Sequence, residues 1–149
     1  QPLGYWLGET WLKSRLKLGK KLIVVPIPLH PNKLRSRGFN QAELLAASFC
    51  QVTGLPLQKD GLERMVETEA LHSKSAIARR ESLAGAFKIG KTFRQHDPKA
   101  EVLLLDDIYT TGATAIAAAD TLRKYDIKVC GIVAIATSEK SVAQTSPLR

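Results

Sequence analysis

The sequence has little of what marks membrane, metal-binding or disulfide-bonded proteins. Its longest apolar run, residues 22–29, is too short to cross a bilayer and contains two prolines. Only two cysteines are present, Cys50 and Cys130, and no CxxC pair occurs, so we predict neither a zinc site nor a disulfide. We interpret both as buried thiols of a reducing compartment, and we expect a cytoplasmic protein without membrane insertion.

Several recognisable motifs are also missing. There is no GxxxxGK[ST] segment for a Walker site, no GxGxxG for a dinucleotide fold and no internal repeat. His72 and His96 lack the spacing of metal ligands, and we expect a local hydrogen bond rather than a phosphate contact for His30. The chain begins with Gln1 and no secretory signal precedes the domain, so we expect it to be part of a longer protein.

Positive charge is abundant but unevenly distributed. The net charge is +8, and residues 1–42 contain eight Lys or Arg against one acid, Glu9. Residues 1–20 predict a basic amphipathic helix or linker, although two glycines lower its helix propensity. Trp6 and Trp11 are interpreted as packing residues of this helix, with base stacking as the alternative. A solvated surface and a nucleic-acid contact both explain the cations, of which the nucleic-acid candidates are Lys13, Arg15, Lys17, Lys20 and Lys21.

The rest of the pattern predicts an α/β fold with a central, mainly parallel sheet flanked by helices. Apolar strands alternate with helices, which is typical of such sheets. Asn40 has the position of a helix N-cap and Gly54 that of a helix end. We predict strands at 22–27, 86–89, 101–105 and 128–136, a basic loop at 28–38, helices at 41–53 and 113–125, short extended segments at 55–65, and a mobile loop with a short helix at 66–82. The domain is predicted to span 21–137, followed by a frayed tail at 138–149.

Residues 102–114, VLLLDDIYTTGAT, combine a buried strand, two acids and a small-residue loop that leads into a helix. In open α/β sheets, ligands gather at the carboxyl ends of the strands. There, Asp106 and Asp107 can accept hydrogen bonds from the two hydroxyls of a ribose. The loop supplies backbone N–H groups and hydroxyls for a phosphate at a helix N-terminus. The candidate 5-phosphate ligands are Thr110, Thr111, Gly112, Ala113 and Thr114.

This run resembles the thirteen-residue signature of type I phosphoribosyltransferases. Together with three further segments, residues 25–31 (VPIPLHP), 37–41 (RGFNQ) and 85–87 (GAF), it is similar to the ComF/GntX family, which is associated with competence and DNA uptake. The resemblance covers residues 22–136. Two departures are Tyr109, where an aliphatic residue is common, and residues 68–75, which match a family segment only loosely. The four-cysteine zinc module that usually accompanies the family has no counterpart here, so no zinc site is expected in this chain.

The resemblance implies a role for each part of the site. The acid pair binds the ribose, the Thr-rich loop binds the 5-phosphate, and a loop after the first strand holds pyrophosphate with magnesium. Magnesium is expected with phosphoribosyl pyrophosphate, through the ligand and through Asp106 and Asp107. The basic residues Arg37, Arg79 and Arg80 are the catalytic candidates for stabilising the leaving group. The pyrophosphate-binding candidates are Arg35, Arg37, Gly38, Asn40 and Gln41.

Two functions are compatible with this pattern. The first is a magnesium-dependent phosphoribosyltransferase that displaces pyrophosphate from the anomeric carbon, mainly by positioning and charge stabilisation. The second is a non-catalytic protein of DNA uptake that uses the same pocket for nucleotide or single-stranded DNA and its N-terminal basic surface for the DNA backbone. Expected partners are phosphoribosyl pyrophosphate or ribose 5-phosphate, single-stranded DNA, proteins of the competence machinery and a second copy in a homodimer. The sequence does not specify an acceptor.

Overall fold

The computed structural model describes residues 2–14, 21–66, 75–91, 93 and 97–137. Within them, strands and helices alternate along the chain, which confirms the predicted α/β class. The elements are α1 (Pro2–Lys13), β1 (Lys21–Pro26), α2 (Pro31–Arg37), α3 (Gln41–Thr53), β2 (Leu62–Arg64), α4 (Ala76–Leu83), β3 (Phe87–Ile89), β4 (Ala100–Tyr109), α5 (Ala113–Arg123) and β5 (Val129–Thr137).

The main sheet is parallel, with the strand order β1-β4-β5. Its middle strand, β4, has four consecutive buried residues at positions 102–105, so both of its faces are covered. Such two-sided burial is typical of parallel strands between helical layers. β2 and β3 form a separate antiparallel pair in which Arg64 lies opposite Phe87. This arrangement is consistent with a type I phosphoribosyltransferase-like fold.

Successive residues of β4 serve different cores because side chains alternate across a strand. Val102 and Leu104 face a core that contains Phe87 and the buried side of α5. Leu103 and Leu105 face the other core, which includes Phe49 of α3 and part of α1. The sheet therefore separates α5 and the β2-β3 pair from the α1 and α3 layer.

Close packing between α1 and α3 explains the glycines of the first helix. A Cβ atom at Gly4 would lie 2.5 Å from the Ser48 Cβ, and one at Gly8 would lie 2.9 Å from the Val52 Cβ. Both distances are too short for a side chain, so glycine lets the two backbones approach. The helix therefore forms despite low intrinsic propensity, because tertiary packing stabilises it.

The two tryptophans of α1 differ in their environment. The Trp11 ring meets the Phe49 ring edge to face, with 5.9 Å between centroids, which confirms its predicted packing role. Trp6 is 56% exposed, so the packing interpretation was wrong for this residue. Its position in the helix places it on the side that faces away from α3 and the sheet.

The predicted helix caps of α3 and the predicted local hydrogen bond of His30 are confirmed. The Asn40 side chain accepts a hydrogen bond from the Ala42 N–H at 3.1 Å and so caps α3, as predicted. Gly54 ends the same helix in the left-handed conformation, with φ 73°. The Nδ1 of His30 accepts a hydrogen bond from the Asn32 N–H at 3.2 Å, which is the local bond expected for it.

The structure corrects three sequence-based predictions. Residues 31–37 form a helix, α2, instead of a loop, because a His30 cap, a proline at its start and left-handed Gly38 define its two ends. β4 continues past residue 105 to Tyr109, since β5 pairs with it over that length. Cys50 and Cys130 form no disulfide and are only partly buried, so the prediction of buried thiols was wrong.

Other predictions of elements were confirmed or lie outside the described residues. The short strands β2 and β3 and the short helix α4 occur where extended and helical segments were expected. Within the part of the chain that the structure describes, every helix is too short or too polar to span a membrane. The predicted tail at 138–149 and most of the predicted mobile loop, including residues 67–74, lie outside the described residues.

Candidate sugar-phosphate site

The carboxyl ends of β1 and β4 lie side by side. Pro26 is the register partner of Leu105, and the Ile27 N–H donates a hydrogen bond to the Leu105 carbonyl at 2.9 Å. The loop that leaves β1 is therefore held beside Asp106, the next residue of β4. This contact brings the segment that contains the basic residues to the same sheet edge as the acids.

The two acids of β4 are half-buried and linked through the backbone. A carboxylate oxygen of Asp106 accepts a hydrogen bond from the Asp107 N–H at 2.8 Å, and one of Asp107 accepts from the Ile108 N–H at 2.9 Å. Burial raises the pKa of Asp106 to about 7, and its hydrogen bond and charge interaction with Asp107 add to the increase. Asp106 is thus poised to donate or to accept a hydrogen bond near neutral pH.

The loop after β4 turns sharply into α5. Gly112 adopts a left-handed conformation, with φ 80°, at the N-cap of α5. The Thr111 hydroxyl accepts a hydrogen bond from the Ala113 N–H at 3.3 Å, and both Thr110 and Thr111 are exposed. Half-buried Thr114 lies in the first turn of α5. Hydroxyls and helix N–H groups therefore converge next to the acids, which suits an anion.

Tyr109 covers the base of this loop, a feature that the sequence did not reveal. Gly112 is buried, and a Cβ atom there would lie 3.0 Å from the ring carbon that carries the Tyr109 hydroxyl. The positive φ of Gly112 favours glycine, and any side chain there would also require the Tyr109 ring to shift. The aromatic residue that departs from the family pattern packs against the candidate phosphate loop itself.

Residues 28–41, the segment that contains the predicted basic residues, are held beside the acids by backbone contacts and by the Asn40 side chain. The Nδ2 of Asn40 donates to the Ile27 carbonyl at 3.1 Å, which fixes the start of α3 against the β1 exit. Gly38 ends α2, with its N–H bonded to the Leu34 carbonyl at 2.7 Å, and Gln41 is the first residue of α3. The predicted residues Gly38, Asn40 and Gln41 therefore lie in the connection that follows the strand end.

The arginines of this segment are exposed on α2. The Arg35 guanidinium donates a hydrogen bond to the Asn32 side chain, within the same helix. Arg37 lies in the last turn, immediately before Gly38. α2 buries none of its residues, so its cations are accessible to a solvent-borne anion.

Arg64 is a half-buried arginine at the β1 exit that sequence reasoning missed. It lies at the end of β2, and its guanidinium carbon is 5.3 Å from the centroid of the Phe87 ring. Its Nη1 donates to the Pro28 carbonyl at 3.4 Å. Burial lowers the pKa of Arg64, and the charge of Asp106 acts in the opposite direction. A single arginine in a short strand has no sequence signal, because its partners lie far away along the chain.

The N-terminal nucleic-acid candidates are only partly described. Lys21 is the first residue of β1, so it lies at the end of the strand opposite to the site, about 17 Å from Pro26 at the usual rise per residue. It forms an exposed ion pair with Asp97 at 3.2 Å. Lys13 is exposed at the end of α1. The other candidates, Arg15, Lys17 and Lys20, lie outside the described residues.

Comparison with known proteins identifies relatives of this chain. No protein-family model matches it. It is 37% identical over 107 residues, 70% of this chain and 43% of the relative, to "Competence protein ComFC" of Streptococcus pneumoniae. It is 30% identical over 105 residues, 70% of this chain and 45% of the relative, to "Competence protein F" of Haemophilus influenzae. "DNA utilization protein YhgH" of Salmonella typhimurium is 28% identical over 118 residues, 78% of this chain and 50% of the relative.

The chain belongs to the ComF family. This ComF-family chain spans about half the length of the curated relatives that it matches. The family assignment agrees with the resemblance inferred from the strand, the acid pair and the RGFNQ segment.

The ComF-family site has few groups that could hold a metal by themselves. Among the described residues, no cluster of three or more His, Cys, Asp or Glu side chains could bind a metal ion. Magnesium commonly binds through one or two carboxylates together with phosphate oxygens of a substrate. Asp106 and Asp107 fit that limited role, and the remaining ligands would come from the bound pyrophosphate and water.

The structure places the catalytic candidates Arg79 and Arg80 through their backbone alone. Arg79 and Arg80 belong to α4, which packs against α5, but their side chains lie outside what the structure describes. Their predicted contact with a leaving group stays a prediction. His72 and His96 also lie outside the described residues.

Proposed function

We propose that this ComF-family chain binds phosphoribosyl pyrophosphate, or a related ribose 5-phosphate ligand, at the carboxyl end of β4. The supporting observation is the sequence of groups along one sheet edge. The half-buried acids at 106 and 107 precede a left-handed Gly112 and the N-terminus of α5. This order matches a sugar phosphate, with its hydroxyls on the acids and its 5-phosphate on the loop.

The β1 exit supports the pyrophosphate part of the proposal. Hydrogen bonds hold Ile27 to β4 on one side and to Asn40 on the other, so the connection from α2 to α3 lies next to the acids. Arg35 and Arg37 supply accessible positive charge on α2, and magnesium would neutralise further charge on the pyrophosphate. The chain's own residues would position the ligand and stabilise the departing anion, with Arg37, Arg79 and Arg80 as the candidates.

We further propose that this binding serves DNA uptake or DNA utilisation. The support is the naming of three relatives as competence or DNA utilization proteins. Partners from the competence machinery, single-stranded DNA and a homodimeric assembly remain part of this proposal. The DNA-binding alternative predicts salt-dependent binding that is lost when the N-terminal cations, Lys13 and Lys21 among them, are replaced.

The binding proposal is tested by replacing the acid pair. We expect Asp106→Asn combined with Asp107→Asn to weaken phosphoribosyl pyrophosphate binding at least about 100-fold in calorimetry with magnesium, because two hydroxyl-binding carboxylates are lost. Asp126→Asn is the matched control, since Asp126 is exposed beyond the end of α5 and has φ 59°, which asparagine also tolerates. An unchanged dissociation constant in a folded double variant would rule out the assignment.

Catalysis is tested separately from binding. Pyrophosphate release is measured with phosphoribosyl pyrophosphate, magnesium and a panel of bases, ammonia and nucleotides. We expect release with one acceptor class if the chain is a transferase. Tight binding without release from any acceptor would support the non-catalytic alternative.

A further inference from the structure

Phe39 is an exposed aromatic residue in the short connection between α2 and α3, and its side of the chain is held at two points. Phe39 is 49% exposed. On one side of it, Gly38 ends α2 with φ 79° and donates to the Leu34 carbonyl. On the other side, Asn40 caps α3 and donates to the Ile27 carbonyl at 3.1 Å. The backbone at Phe39 is therefore fixed between two helix caps, beside the β1 exit.

The segment around Phe39 carries positive charge and no negative charge. Residues 29–42 contain no Asp or Glu, and their cations are Lys33, Arg35 and Arg37. Arg35 is exposed, and its side chain donates to a neutral partner, the Asn32 amide oxygen. The next acid along the chain, Glu43, pairs with a lysine at 3.8 Å. The exposed ring thus lies in a stretch of the chain whose net charge is wholly positive.

The other exposed aromatic side chains of the described residues lie close to acids. In α1, Tyr5 and Trp6 lie about one helical turn before Glu9, which is the spacing of neighbouring side chains on a helix. Tyr125 is followed directly by Asp126. A carboxylate repels a phosphate, so these three rings are less suited to a polyanion than the ring in the basic stretch.

An exposed ring among cations has the chemistry that single-stranded nucleic acids require. Unpaired bases stack on aromatic side chains, while the phosphates of the strand are attracted by Lys and Arg. In a duplex the faces of the bases are already stacked on one another, so a ring of this kind favours a single strand. A relative of this chain is itself named "DNA utilization protein YhgH".

We propose that Phe39 and the cations of α2 form a surface for single-stranded DNA, on which a base stacks on the Phe39 ring and the phosphates approach Lys33, Arg35 and Arg37. The inference rests on the DNA part of the proposed function and deepens it, because it names the surface and the kind of contact. The surface adjoins the sugar-phosphate site, since Asn40 bonds to Ile27 and Ile27 bonds to Leu105 of β4. It is separate from Lys21, which lies at the other end of β1.

The stacking contact is tested with two single-stranded probes of equal length, an oligothymidylate and an abasic strand, in fluorescence anisotropy. Both probes carry the same phosphates, but only the oligothymidylate has bases. We expect Phe39→Ala to weaken the oligothymidylate about tenfold and the abasic strand less than about twofold, because one stacked base is lost. Phe39→Trp should keep the affinity, whereas Phe39→Leu, which is apolar but has no ring, should not.

Trp6→Ala is the matched control for the loss of an exposed aromatic ring, and it should change neither affinity. Unchanged binding of the oligothymidylate by folded Phe39→Ala would overturn the proposal. An equal loss for both probes, or a loss in Trp6→Ala alone, would overturn it as well. Circular dichroism checks the fold of each variant, and Phe39→Leu takes the place of Phe39→Ala if the alanine variant does not fold.

The contribution of the cations is measured through the salt dependence of oligothymidylate binding. We expect Arg35→Gln to reduce the slope of log affinity against log salt concentration by about 0.7, the value for one phosphate contact on a single strand. Phe39→Ala should leave this slope unchanged, because stacking releases no counterions. Lys124→Gln, at the exposed end of α5, is the control for loss of a cation and should also leave it unchanged. A slope that Arg35→Gln does not alter would contradict the assignment of α2 to the strand.

Calorimetry with phosphoribosyl pyrophosphate and magnesium separates this inference from the sugar-phosphate proposal. Phe39→Ala should bind phosphoribosyl pyrophosphate as tightly as the wild type, and a parallel loss of that affinity would overturn the inference. If the wild type binds the oligothymidylate through Phe39 but not phosphoribosyl pyrophosphate, the sugar-phosphate proposal fails and the DNA surface stands. If the wild type binds neither strand, the DNA surface is ruled out, whatever the result for phosphoribosyl pyrophosphate.

Discussion

Two aspartates, Asp97 and Asp106, each have a cation nearby at opposite ends of the main sheet, and they differ in what surrounds them. Lys21 and Asp97 meet at the amino end of β1, where their side chains are 76% and 40% exposed. Arg64 and Asp106 lie at the carboxyl edge, where both are half-buried. Lys21 and Asp97 thus form an exposed ion pair, whereas Arg64 and Asp106 are both half-buried.

The pKa of the aspartate moves in opposite directions at the two edges. The pKa of Asp97 is lowered, first by a hydrogen bond from the Lys99 N–H and then by Lys21. The pKa of Asp106 is raised, first by burial and then by its hydrogen bond to Asp107, and these outweigh the opposite effect of Arg64. The comparison shows that burial dominates at Asp106, despite a nearby cation, whereas hydrogen bonding dominates at exposed Asp97. Asp106, whose pKa is raised, lies where a ligand is expected to bind. Acids with shifted pKa values are typical of functional sites.

The largest expected effect is on the reactivity of the Cys50 thiol, because burial is the cause of its shifted pKa. Burial raises the pKa of its thiol to about 11. At pH 8 we expect Cys50 to react with iodoacetamide roughly 100-fold more slowly in the folded protein than in urea, because little thiolate is present. Mass spectrometry of Cys50 peptides measures the rate. Equal rates in both states would show that burial does not control ionisation here.

Arg64→Met tests the half-buried arginine at the carboxyl edge. We expect it to lower the free energy of unfolding by about 2 kcal/mol at pH 8, since the contacts with the Phe87 ring and the Pro28 carbonyl and a cation near Asp106 are lost. Urea denaturation measures the change, and Lys21→Met at the opposite edge is the matched control, for which no measurable change is expected. Similar losses in the two variants would contradict the role assigned to solvent access.

The stability of the wild type should fall relative to Asp106→Asn as the pH rises from 5 to 8. The pKa of Asp106 is raised to about 7 in the folded state, compared with about 3.9 when unfolded. Its contribution to stability is therefore fully present below the unfolded value and is lost as the pH rises through the folded value. Urea denaturation across this range measures the difference between the two proteins, and parallel curves would show that the pKa is not raised.

Asp97→Asn has the smallest expected effect on stability, and its pH dependence is opposite to that of Asp106→Asn. Because the folded pKa is lowered, Asp97 stabilises the protein above its unfolded pKa of about 3.9, and this contribution is lost as the pH falls through the folded value. We expect a slight decrease in the thermal midpoint at pH 7 and none at pH 2. Added salt should reduce the part that depends on Lys21.

Local sequence signals predicted the elements around the site well. Asn40 and Gly54 defined the two ends of α3 because capping depends on neighbouring residues only. The alternation and branching of apolar residues likewise indicated the buried parallel strands. The order of acids, threonines and Gly112 predicted the turn at the end of β4, since all of these groups lie within one short segment.

Contacts between distant segments could not be predicted in the same way. Arg64 approaches Phe87 and Pro28 only because β2 pairs with β3 beside the β1 exit. Gly4 and Gly8 weakened the prediction of a helix, yet their missing side chains allow α1 to pack on α3. In each case the deciding interaction joins residues that are far apart in the chain.

The sequence by itself determined the α/β class, the parallel strands and the acid and threonine turn, because periodicity, capping and motif order are local properties. The tertiary structure alone decided which charges share an environment. It placed Lys21 beside Asp97 at the end of the sheet opposite to the site, and Arg64 between the Phe87 ring and the β1 exit. The physical reason is that burial and charge compensation depend on neighbours in space, which strand pairing establishes only when the chain folds.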